Sequence, residues 1–374
     1  MAQALLPDDT DEAADAADVN AAIGGFLRDL AFVQTSPQKA FGYKRAARAV
    51  LSLDRSFADL LTSDGSLPRV AGIGPASSRV IREVLESGAS ATVERAVAES
   101  GRANEIQRRR AWRRHFLSHA AVRRILDNRP ADELLVEYRG DLQMHSEWSD
   151  GQPTLDEIVN ASLARGYRYA AVTDHSHGLR IAGGMSMAEA MAQHQTIDAL
   201  NARRPAFRLL KGIEANIAAD GSLDLSDEDA RCFEVVLAAP HSKLRAADDQ
   251  TDRVLRAIRH PSVHILAHPR GRIANTRAGV QANWGVVFEE AAARRVAIEI
   301  DGDPARQDLD YTMARQARDA GCLFAIDSDA HTTSQLDYTD IAIAHARLAQ
   351  IPADRVVNCW PLDRLLDWLS RRCR

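Results

Sequence analysis

Apolar residues in the first third of the chain recur at the spacing of amphipathic helices. From position 21 to about position 100 they return every three or four residues, as in Ile23, Phe26 and Leu30. Side chains at this spacing share one face of a helix, and that face packs against neighbouring helices. The pattern therefore predicts a small all-α domain over residues 20–98.

A turn with two glycines interrupts this helical pattern. The stretch VAGIGPASSRVIREVLESG, residues 70–88, places Gly72 and Gly74 before a run with helical periodicity. A hydrophobic residue between two glycines, followed by a helix, is typical of helix-hairpin-helix motifs. The backbone amides of Gly72, Ile73 and Gly74 are therefore candidates for a sequence-independent contact with a nucleic-acid phosphate.

The next segment is strongly basic. GRANEIQRRRAWRRHFLSHAAVRRIL, residues 101–126, holds eight arginines and one glutamate and is helical by its period. We predict a basic helical linker over residues 99–133 that ends near Pro130. Its arginines are candidates for phosphate contacts, and a solvated helix face is the alternative interpretation. The predicted DNA-binding residues are Lys44, Gly72, Ile73, Gly74, Arg79, Arg109, Arg110 and Arg113.

Short β-rich runs alternate with helical segments from residue 134 onwards. The runs are VEYRGDLQM, YRYAAVTD, FRLLKGIE, FEVVLAAP, VHILAH, VAIEID and CLFAID, and amphipathic stretches such as QTDRVLRAIRH separate them. Strands that alternate with helices indicate parallel β-α units. Seven such units predict an α/β domain over residues 134–374, a barrel of the TIM type or a relative of it.

Each of these runs ends in, or is closely followed by, residues that can bind a metal ion. In a parallel barrel the carboxyl ends of the strands meet at one face, where active sites lie. One histidine at a strand end is usually a hydrogen-bonded cap, but ligands at successive strand ends favour a centre for zinc, manganese or iron. The candidates are His145, Asp150, Asp174, His175, Glu214, His241, His268, Asp329 and His331. The histidines that we interpret as structural are His177, His260, His264 and His345.

Composition and charge narrow the class of protein. The 374 residues carry a net charge of -5, which gives no overall sign of nucleic-acid binding. The four cysteines include no Cys-x-x-Cys pair, which argues against a disulfide framework and a cysteine zinc site. The acidic start lacks the apolar core of a signal peptide, and we predict a disordered tail over residues 1–19. Because no apolar run reaches about 18 residues, we predict a cytoplasmic protein without a membrane partner or an organic cofactor.

Seven motifs give the β-α region a resemblance to a known family. They are GDLQMHSEWSDG, VTDHS, GIEANI, PHSK, AHPRGR, IEIDGDPARQDL and DSDAH. From about Tyr138 to the end the chain resembles a PHP (polymerase and histidinol phosphatase) domain, most closely that of bacterial family X DNA polymerases. The resemblance implies a distorted (β/α)7 TIM-like barrel with a nine-ligand site for two or three divalent ions (Zn²⁺, Mn²⁺ or Fe²⁺). The implied metal ligands are Gln143, His145, Asp150, His175, Glu214, His241, His268, Asp329 and His331.

One implied ligand departs from the family pattern. The family usually has His-x-His after the first strand, whereas this chain has Gln143, Met144 and His145. A glutamine offers only a neutral amide oxygen, a weaker ligand than imidazole for a transition metal. We therefore expect one metal position to be looser, and the resemblance implies that Glu214 bridges two metal ions.

Residues 20–88 resemble the amino-terminal helical domain of DNA polymerase beta and other family X enzymes, on the stretches FGYKRAARAV and VAGIGPASSRVI. That resemblance implies binding to gapped DNA. The family's lyase lysine lies in the helix after the glycine turn, but here that helix carries Arg79 and Arg82, and arginine cannot form a Schiff base. Since residues 88–134 are too few to hold a polymerase palm, we expect neither lyase nor polymerase activity.

These features together predict a metal-dependent phosphoesterase that acts on DNA 3' ends in repair, as a 3'-5' exonuclease or a 3'-end-processing phosphatase. A metal-activated water would attack phosphorus. One alternative is a small-molecule phosphatase of the histidinol-phosphatase type, and another is a DNA-binding scaffold without catalysis. The basic segment and the glycine turn favour DNA over a small molecule, and the many ligand residues favour an enzyme over a scaffold.

Three arginines and two histidines near the strand ends receive expected roles. The predicted catalytic residues are His331, His241 and Arg272. The residues expected to clamp a substrate phosphate are Arg270, Arg272 and Arg306. Arg306 has an alternative role, since it can instead pair with Asp308 or Asp310.

Overall fold

The computed structural model describes residues 18–62, 65–127, 134 and 137–372, without the side chains of residues 371 and 372. The chain divides near residue 130 into two compact units, which we call the helical unit and the sheet unit. Residues 1–17 of the predicted acidic tail lie outside the described residues. Asp18 caps the first helix, which begins at Val19 and so starts inside the predicted tail.

The described part of the helical unit consists of α-helices joined by short turns. Asp18, Ser36 and Ser90 each accept a hydrogen bond from a backbone amide in the first turn of the helix that follows, which satisfies one otherwise unpaired donor. The helices are α1 (Val19–Val33), α2 (Pro37–Leu51), α3 (Pro75–Ser87), α4 (Ala91–Glu99), α5 (Ala103–Trp112) and α6 (His119–Asp127), with a 3₁₀ turn at Phe57–Leu60.

One apolar cluster holds the helical unit together. Ile23 and Leu27 of α1 are fully buried, as their spacing predicts, and Val80 and Ile81 of α3 belong to the same cluster. Ile106 of α5 is buried there as well. The predicted basic linker therefore packs, in its described residues, as part of the helical unit.

The glycine turn adopts the local structure that its sequence predicts. Gly72 has a φ of 90°, a backbone conformation that side chains disfavour, and the Ile73 amide donates to the Val70 carbonyl oxygen at 3.1 Å. Gly74 is the N-cap of α3 and Pro75 is its first residue, where proline needs no hydrogen-bond partner for its nitrogen. The turn is thus present, while its role in DNA binding stays a prediction.

Six parallel strands in chain order form the sheet of the second unit. Six of the seven predicted runs form these strands, which confirms the α/β alternation. The strands are β1 (Tyr169–Val172), β2 (Arg208–Asn216), β3 (Val235–Ala239), β4 (Ile265–Leu266), β5 (Ala297–Asp301) and β6 (Leu323–Asp327). The helices are α7 (Leu155–Ala164), α8 (Met187–Arg203), α9 (Asp227–Ala230), α10 (Thr251–Arg259), α11 (Trp284–Arg294), α12 (Tyr311–Asp319), α13 (Thr339–Leu348) and α14 (Leu362–Arg372).

The predicted first strand is an irregular segment instead. Residues 135 and 136 lie outside the described residues, and residues 139–145 carry only one isolated bridge, from Met144 to Ala330 beyond β6. On the other side the Asp141 carbonyl oxygen accepts from the Ala171 amide of β1 at 2.9 Å. The segment thus lies between the two edge strands of the curled sheet. Gly140 permits this approach, since a Cβ there would lie 2.1 Å from the carbonyl oxygen of Tyr169.

The interior of the sheet is apolar over much of its length. Leu237, Ile265 and Ala297 from three strands belong to one buried cluster with Leu365 and Trp368 of α14. Polar side chains are therefore left to the carboxyl ends of the strands. No helix within the described ranges is long and apolar enough to cross a membrane.

Candidate metal centre

The predicted ligands come together because they follow strands that run in the same direction. His175, His241 and His268 lie two or three residues beyond the ends of β1, β3 and β4, and Glu214 lies within β2. Parallel strands present their carboxyl ends at one edge, so these side chains lie close together. The irregular segment adds His145, the loop after it adds Asp150, and the residues after β6 add Asp329 and His331.

Glu214 lies at the centre of the cluster. Its Oε1 is 2.8 Å from His268 Nε2 and 3.3 Å from His241 Nε2. Its Oε2 is 3.1 Å from His175 Nδ1 and 3.3 Å from His145 Nε2. Both oxygens of this buried carboxylate therefore face imidazole nitrogens, and its role as a bridge between two metal ions stays a prediction.

Two further carboxylates complete the cluster. Asp150 Oδ1 lies 3.3 Å from His331 Nε2 and 3.4 Å from His175 Nε2, and Asp329 Oδ1 lies 3.1 Å from His145 Nε2. The ring of His145 stacks at 4.4 Å between centroids on the rings of both His175 and His331. The set mixes imidazole nitrogen with carboxylate oxygen, which suits zinc, manganese and iron.

The chemistry of these side chains fits bound metal ions. Two groups have ligand atoms that all lie within 4.8 Å of one another: one is His145, Asp150, His175 and His331, and the other is His175, Glu214 and His241. Buried polar atoms are nearly always hydrogen-bonded, yet several here have no such partner in the described part of the chain. These atoms include the Nδ1 atoms of His145, His241 and His268. His175 Nδ1 and Glu214 Oε2 face each other at 3.1 Å, but not in the geometry of a hydrogen bond.

Opposite charges in the cluster shift its acid-base equilibria. Burial acts to raise the pKa of Glu214, but His175 and His241 outweigh it and lower that pKa well below its ordinary value. Burial acts to lower the pKa of His175, but Glu214 and Asp150 raise it to about 10, and a contact with Asp150 likewise raises the pKa of His331 to about 9. For His241 burial prevails and lowers the pKa. In the absence of metal, protons partly balance the carboxylates, and metal binding displaces such protons.

Asp174, a ligand candidate by its place at a strand end, has a different role. It accepts hydrogen bonds from the Ser146 amide at 2.8 Å, from the hydroxyls of Ser146 and Ser149, and from Gln193 at 2.6 Å. These bonds hold the loop that carries His145 and Asp150. The side chains of Ser146, Ser149 and Gln193 are functional neighbours that sequence reasoning missed.

Backbone geometry also fixes two of the ligands. His268 has a φ of 26° and Asp329 a φ of 53°, both in a region that residues other than glycine rarely adopt. Contacts with surrounding residues maintain such conformations. For His268, one such contact is the hydrogen bond that its amide donates to the buried carboxyl group of Glu299. Strained residues of this kind are concentrated at functional sites.

Four buried acids next to the cluster were not among the predicted metal ligands. Burial, reinforced by neighbouring carboxylates, raises the pKa values of Asp141, Glu299 and Asp301 well above their ordinary range. Burial also raises the pKa of Asp327 to about 6, although hydrogen bonds to that carboxyl group oppose the shift. A divalent ion bound by Asp329 would act in the opposite direction and favour the charged carboxylates. The available signal was an acid inside an apolar strand, as in VAIEID and CLFAID.

Arg306 is the arginine that reaches the cluster. Its Nε lies 3.4 Å from Asp329 Oδ2 and 3.6 Å from Asp301 Oδ2. Burial acts to lower its pKa, but these carboxylates outweigh burial and raise it. The alternative that Arg306 pairs with Asp308 or Asp310 is wrong, because its carboxylate partners are supplied by strand ends instead.

Asp308 and Asp310 hold the other two arginines. Arg270 Nε lies 2.9 Å from Asp308 Oδ1, and both Arg270 and Arg272 reach Asp310 Oδ2, at 2.8 and 3.0 Å. Arg272 also donates to the Arg306 carbonyl oxygen at 2.9 Å, and burial beside Arg270 lowers its pKa to about 10. Its contacts are those of a residue that positions Arg306, so its predicted catalytic and phosphate-binding roles stay predictions.

The arginines predicted to bind DNA make contacts within the helical unit. Arg110 Nε lies 2.7 Å and Arg113 Nη1 2.6 Å from the buried carboxylate of Asp29, and Arg109 lies over the Phe32 ring at 3.5 Å. Each of the three side chains therefore has a contact within the protein, and their role in DNA binding stays a prediction. The other predicted DNA-binding side chains, Lys44 and Arg79, are exposed.

The chain is similar in sequence to a DNA polymerase/3'-5' exonuclease and to a probable phosphatase. No protein-family model matches it. Over 238 residues it is 35% identical to the DNA polymerase/3'-5' exonuclease PolX of Bacillus subtilis (strain 168), which covers 63% of this chain and 42% of PolX. Over 248 residues it is 28% identical to the probable phosphatase YcdX of Escherichia fergusonii, which covers 63% of this chain and 95% of YcdX.

A solved structure is also similar. The histidinol phosphate phosphatase of Lactococcus lactis subsp. lactis, complexed with zinc, L-histidinol and phosphate, matches with a TM-score of 0.44 and 15% identity. That match covers 57% of this chain and 93% of the Lactococcus chain. The chain spans less than half the length of PolX and nearly the whole length of YcdX. Together with the histidine and carboxylate cluster, the similarity to PolX and YcdX supports a metal-dependent phosphoester hydrolase.

Proposed function

We propose that this chain hydrolyses phosphoesters at DNA 3' ends, with two or three divalent transition-metal ions held by the strand-end cluster. The observation that carries the proposal is Glu214, whose two oxygens face four imidazoles in a buried position. Asp150 and Asp329 flank this arrangement. Carboxylates and imidazoles grouped in this way suit a hydrolytic site that binds more than one metal ion.

The chain's own residues would bind and orient the substrate. Bound metal ions would supply Lewis-acid stabilisation of the phosphoryl group and a water nucleophile at neutral pH. Arg306, whose Nε lies 3.4 Å from Asp329 Oδ2, would hold a phosphate oxygen at the cluster. His331 Nδ1 donates to the Asp329 carbonyl oxygen at 2.8 Å, which leaves Nε2 to serve as a ligand or to hold a proton facing Asp150.

DNA is the proposed substrate for two reasons. PolX, a DNA polymerase/3'-5' exonuclease, is 35% identical over 238 residues. The helical unit presents exposed Lys44 and Arg79 and the Gly72 turn, which suit sequence-independent phosphate contacts. An enzyme that acts on DNA 3' ends would be suited to a role in DNA repair.

A small-molecule phosphatase is the second candidate. YcdX is a probable phosphatase and is matched over 95% of its length, so nearly its whole chain corresponds to part of this one. In this case the helical unit would contribute nothing to substrate selection. The DNA contacts proposed for Lys44 and Arg79 would then be absent.

A direct comparison of substrates tests the proposal. Purified protein, supplied in turn with Mn²⁺ and Zn²⁺, is assayed on 3'-labelled DNA and on histidinol phosphate, with Glu214→Gln as the inactive control. We expect shortening or 3'-dephosphorylation of the DNA to exceed hydrolysis of histidinol phosphate. Faster hydrolysis of histidinol phosphate would favour the second candidate. If neither substrate is hydrolysed, the proposed hydrolytic activity is contradicted.

A further inference from the structure

Gln143 lies fully buried at one end of the metal cluster. Its side-chain amide is 3.4 Å from Asp329 Oδ1, which is 3.1 Å from His145 Nε2. His145 Nε2 is in turn 3.3 Å from Glu214 Oε2. An amide, an imidazole and two carboxylates therefore converge at this end.

The direction of the amide decides what Gln143 offers there. With its nitrogen toward Asp329, its oxygen faces the carboxyl group of Glu299, and the two can be hydrogen-bonded only if Glu299 carries a proton. With the oxygen and nitrogen exchanged, the NH₂ group donates to both oxygens of Glu299, at 3.0 Å for Oε2. The two ends of an amide have nearly the same shape, so hydrogen bonding decides between them. The exchanged orientation gives the fully buried Glu299 a hydrogen-bond donor whether or not it carries a proton, and it is therefore favoured.

In this orientation the amide oxygen of Gln143 faces Asp329 Oδ1. Two acceptor oxygens in such proximity are stabilised by a cation between them. Ligand atoms about 2.0–2.2 Å from one tetrahedral ion lie about 3.3–3.6 Å from each other. The 3.4 Å between the Gln143 amide and Asp329 and the 3.3 Å between His145 and Glu214 match this spacing.

We infer that Gln143 is an oxygen ligand oriented by Glu299, and that it shifts this metal position toward Mn²⁺ and away from Zn²⁺. The inference rests on the proposed metal-dependent function and adds to it the residues that set metal preference. Oxygen ligands are harder than imidazole and suit Mn²⁺ better, whereas imidazole suits Zn²⁺. Glu299 is a positioning residue, because it fixes which end of the amide faces the ion.

Metal titrations of the full chain test the inference without substrate. Protein stripped of metal is titrated separately with Mn²⁺ and Zn²⁺, and the number of bound ions and the affinity of the weakest are measured. Gln143→His should raise the affinity for Zn²⁺ relative to Mn²⁺ by about tenfold, and Gln143→Leu should lose one ion. Glu299→Gln should weaken Mn²⁺ binding by about tenfold, since Gln143 is then less firmly oriented. Gln316→Leu, an exposed position on α12, is the matched control and should change nothing.

Two results would overturn the inference. One is an unchanged preference between Zn²⁺ and Mn²⁺ in Gln143→His, and the other is a full complement of ions in Gln143→Leu. Thermal unfolding of the metal-free variants shows whether each variant folds. If Gln143→Leu does not fold, the metal preference of Gln143→His provides the test. A wild-type chain that binds the ions with the expected preference but hydrolyses nothing would contradict the proposed function alone. A wild-type chain that binds neither ion would contradict both.

Discussion

Both units contain clusters of charged side chains, but the two clusters differ in how far their hydrogen-bonding groups are paired. In the helical unit the buried carboxylate of Asp29 accepts from Arg110 and Arg113, and both arginines are thereby engaged. In the sheet unit Glu214 faces four imidazoles, and buried nitrogen and oxygen atoms of the cluster lack hydrogen-bond partners in the described residues. The difference teaches that unmet bonding capacity, and not charge density, distinguishes a ligand site from a structural ion pair.

Removing the central carboxylate should have the largest effect. In Glu214→Gln a bridging oxygen becomes a neutral amide, so we expect bound metal to fall and turnover to drop by on the order of 100-fold or more. Metal content by mass spectrometry and steady-state turnover measure the two effects. Glu290→Gln, which removes a charge paired with Arg259 and Arg294 on the surface, should leave both unchanged. Full metal content in Glu214→Gln would refute the role of Glu214 as a bridge.

Removing the acceptor in the helical unit should cost stability and leave the metals in place. Breaking a buried ion pair costs about 3–5 kcal/mol, and because Arg110 is a third exposed we expect about 2–3 kcal/mol for Asp29→Asn. Urea unfolding followed by helical circular dichroism measures the change, with metal content as a parallel readout. Glu105→Gln, which breaks an exposed pair with Arg102, should have little effect. Equal midpoints for Asp29→Asn and wild type would mean that the arginines do not depend on Asp29.

Weakening the support behind the ligand loop should have an intermediate effect. Asp174→Asn keeps the shape of the side chain but loses acceptor capacity toward Ser146, Ser149 and Gln193. Since outer partners of metal ligands typically contribute about 10–100-fold, we expect turnover to fall about tenfold. Kinetics at saturating metal measure it, with Asp198→Asn, an exposed partner of Lys211, as the control. Wild-type turnover in Asp174→Asn would show that the loop holds itself in place.

The smallest effect concerns the exposed basic residues. If Lys44 and Arg79 contact phosphates, replacing each by alanine should flatten the plot of log affinity against log salt by about 0.9 per lost contact on duplex DNA. Fluorescence anisotropy with labelled DNA at several salt concentrations measures the slope. Arg203→Ala, an exposed arginine of the sheet unit, is the matched control. An unchanged slope for both variants would remove the helical unit from the proposed DNA interface.

The sequence predicted most of the sheet unit because its signals are local and repeated. Each strand is a short apolar run, and parallel strands bring the residues after them to one edge, so His175, His241 and His268 could be placed together in advance. The first run was less predictable. Its residues pair with β1 and with Ala330 beyond β6 through an irregular backbone, and the tight contact at Gly140 is set by tertiary packing.

The partners of charged residues were the harder part. Asp308 and Asp310 lie next to Arg306 in the chain, but Arg306 pairs with Asp301 and Asp329, whereas Arg270 and Arg272 take the two nearer acids. Asp29 is a single acid in an apolar helix and gives no sign that arginines about 80 positions later will reach it. These ion pairs join residues that are distant in the chain, and helical or strand periodicity carries no information about such pairs.

The side chains of the metal cluster differ in their exposure to solvent. Asp150 and His331 have 36% and 30% of their side-chain surface exposed, whereas those of His145 and Glu214 are fully buried. An ion held on the Asp150 side would exchange quickly with the surrounding buffer, and an ion held between His145 and Glu214 would leave only after local opening of the loop. A chelator is therefore expected to remove metal in a fast and a slow phase. In a purified sample, the ion on the Asp150 side would therefore depend on the last buffer used. The ion between His145 and Glu214 would depend on the metals present when the protein was synthesised.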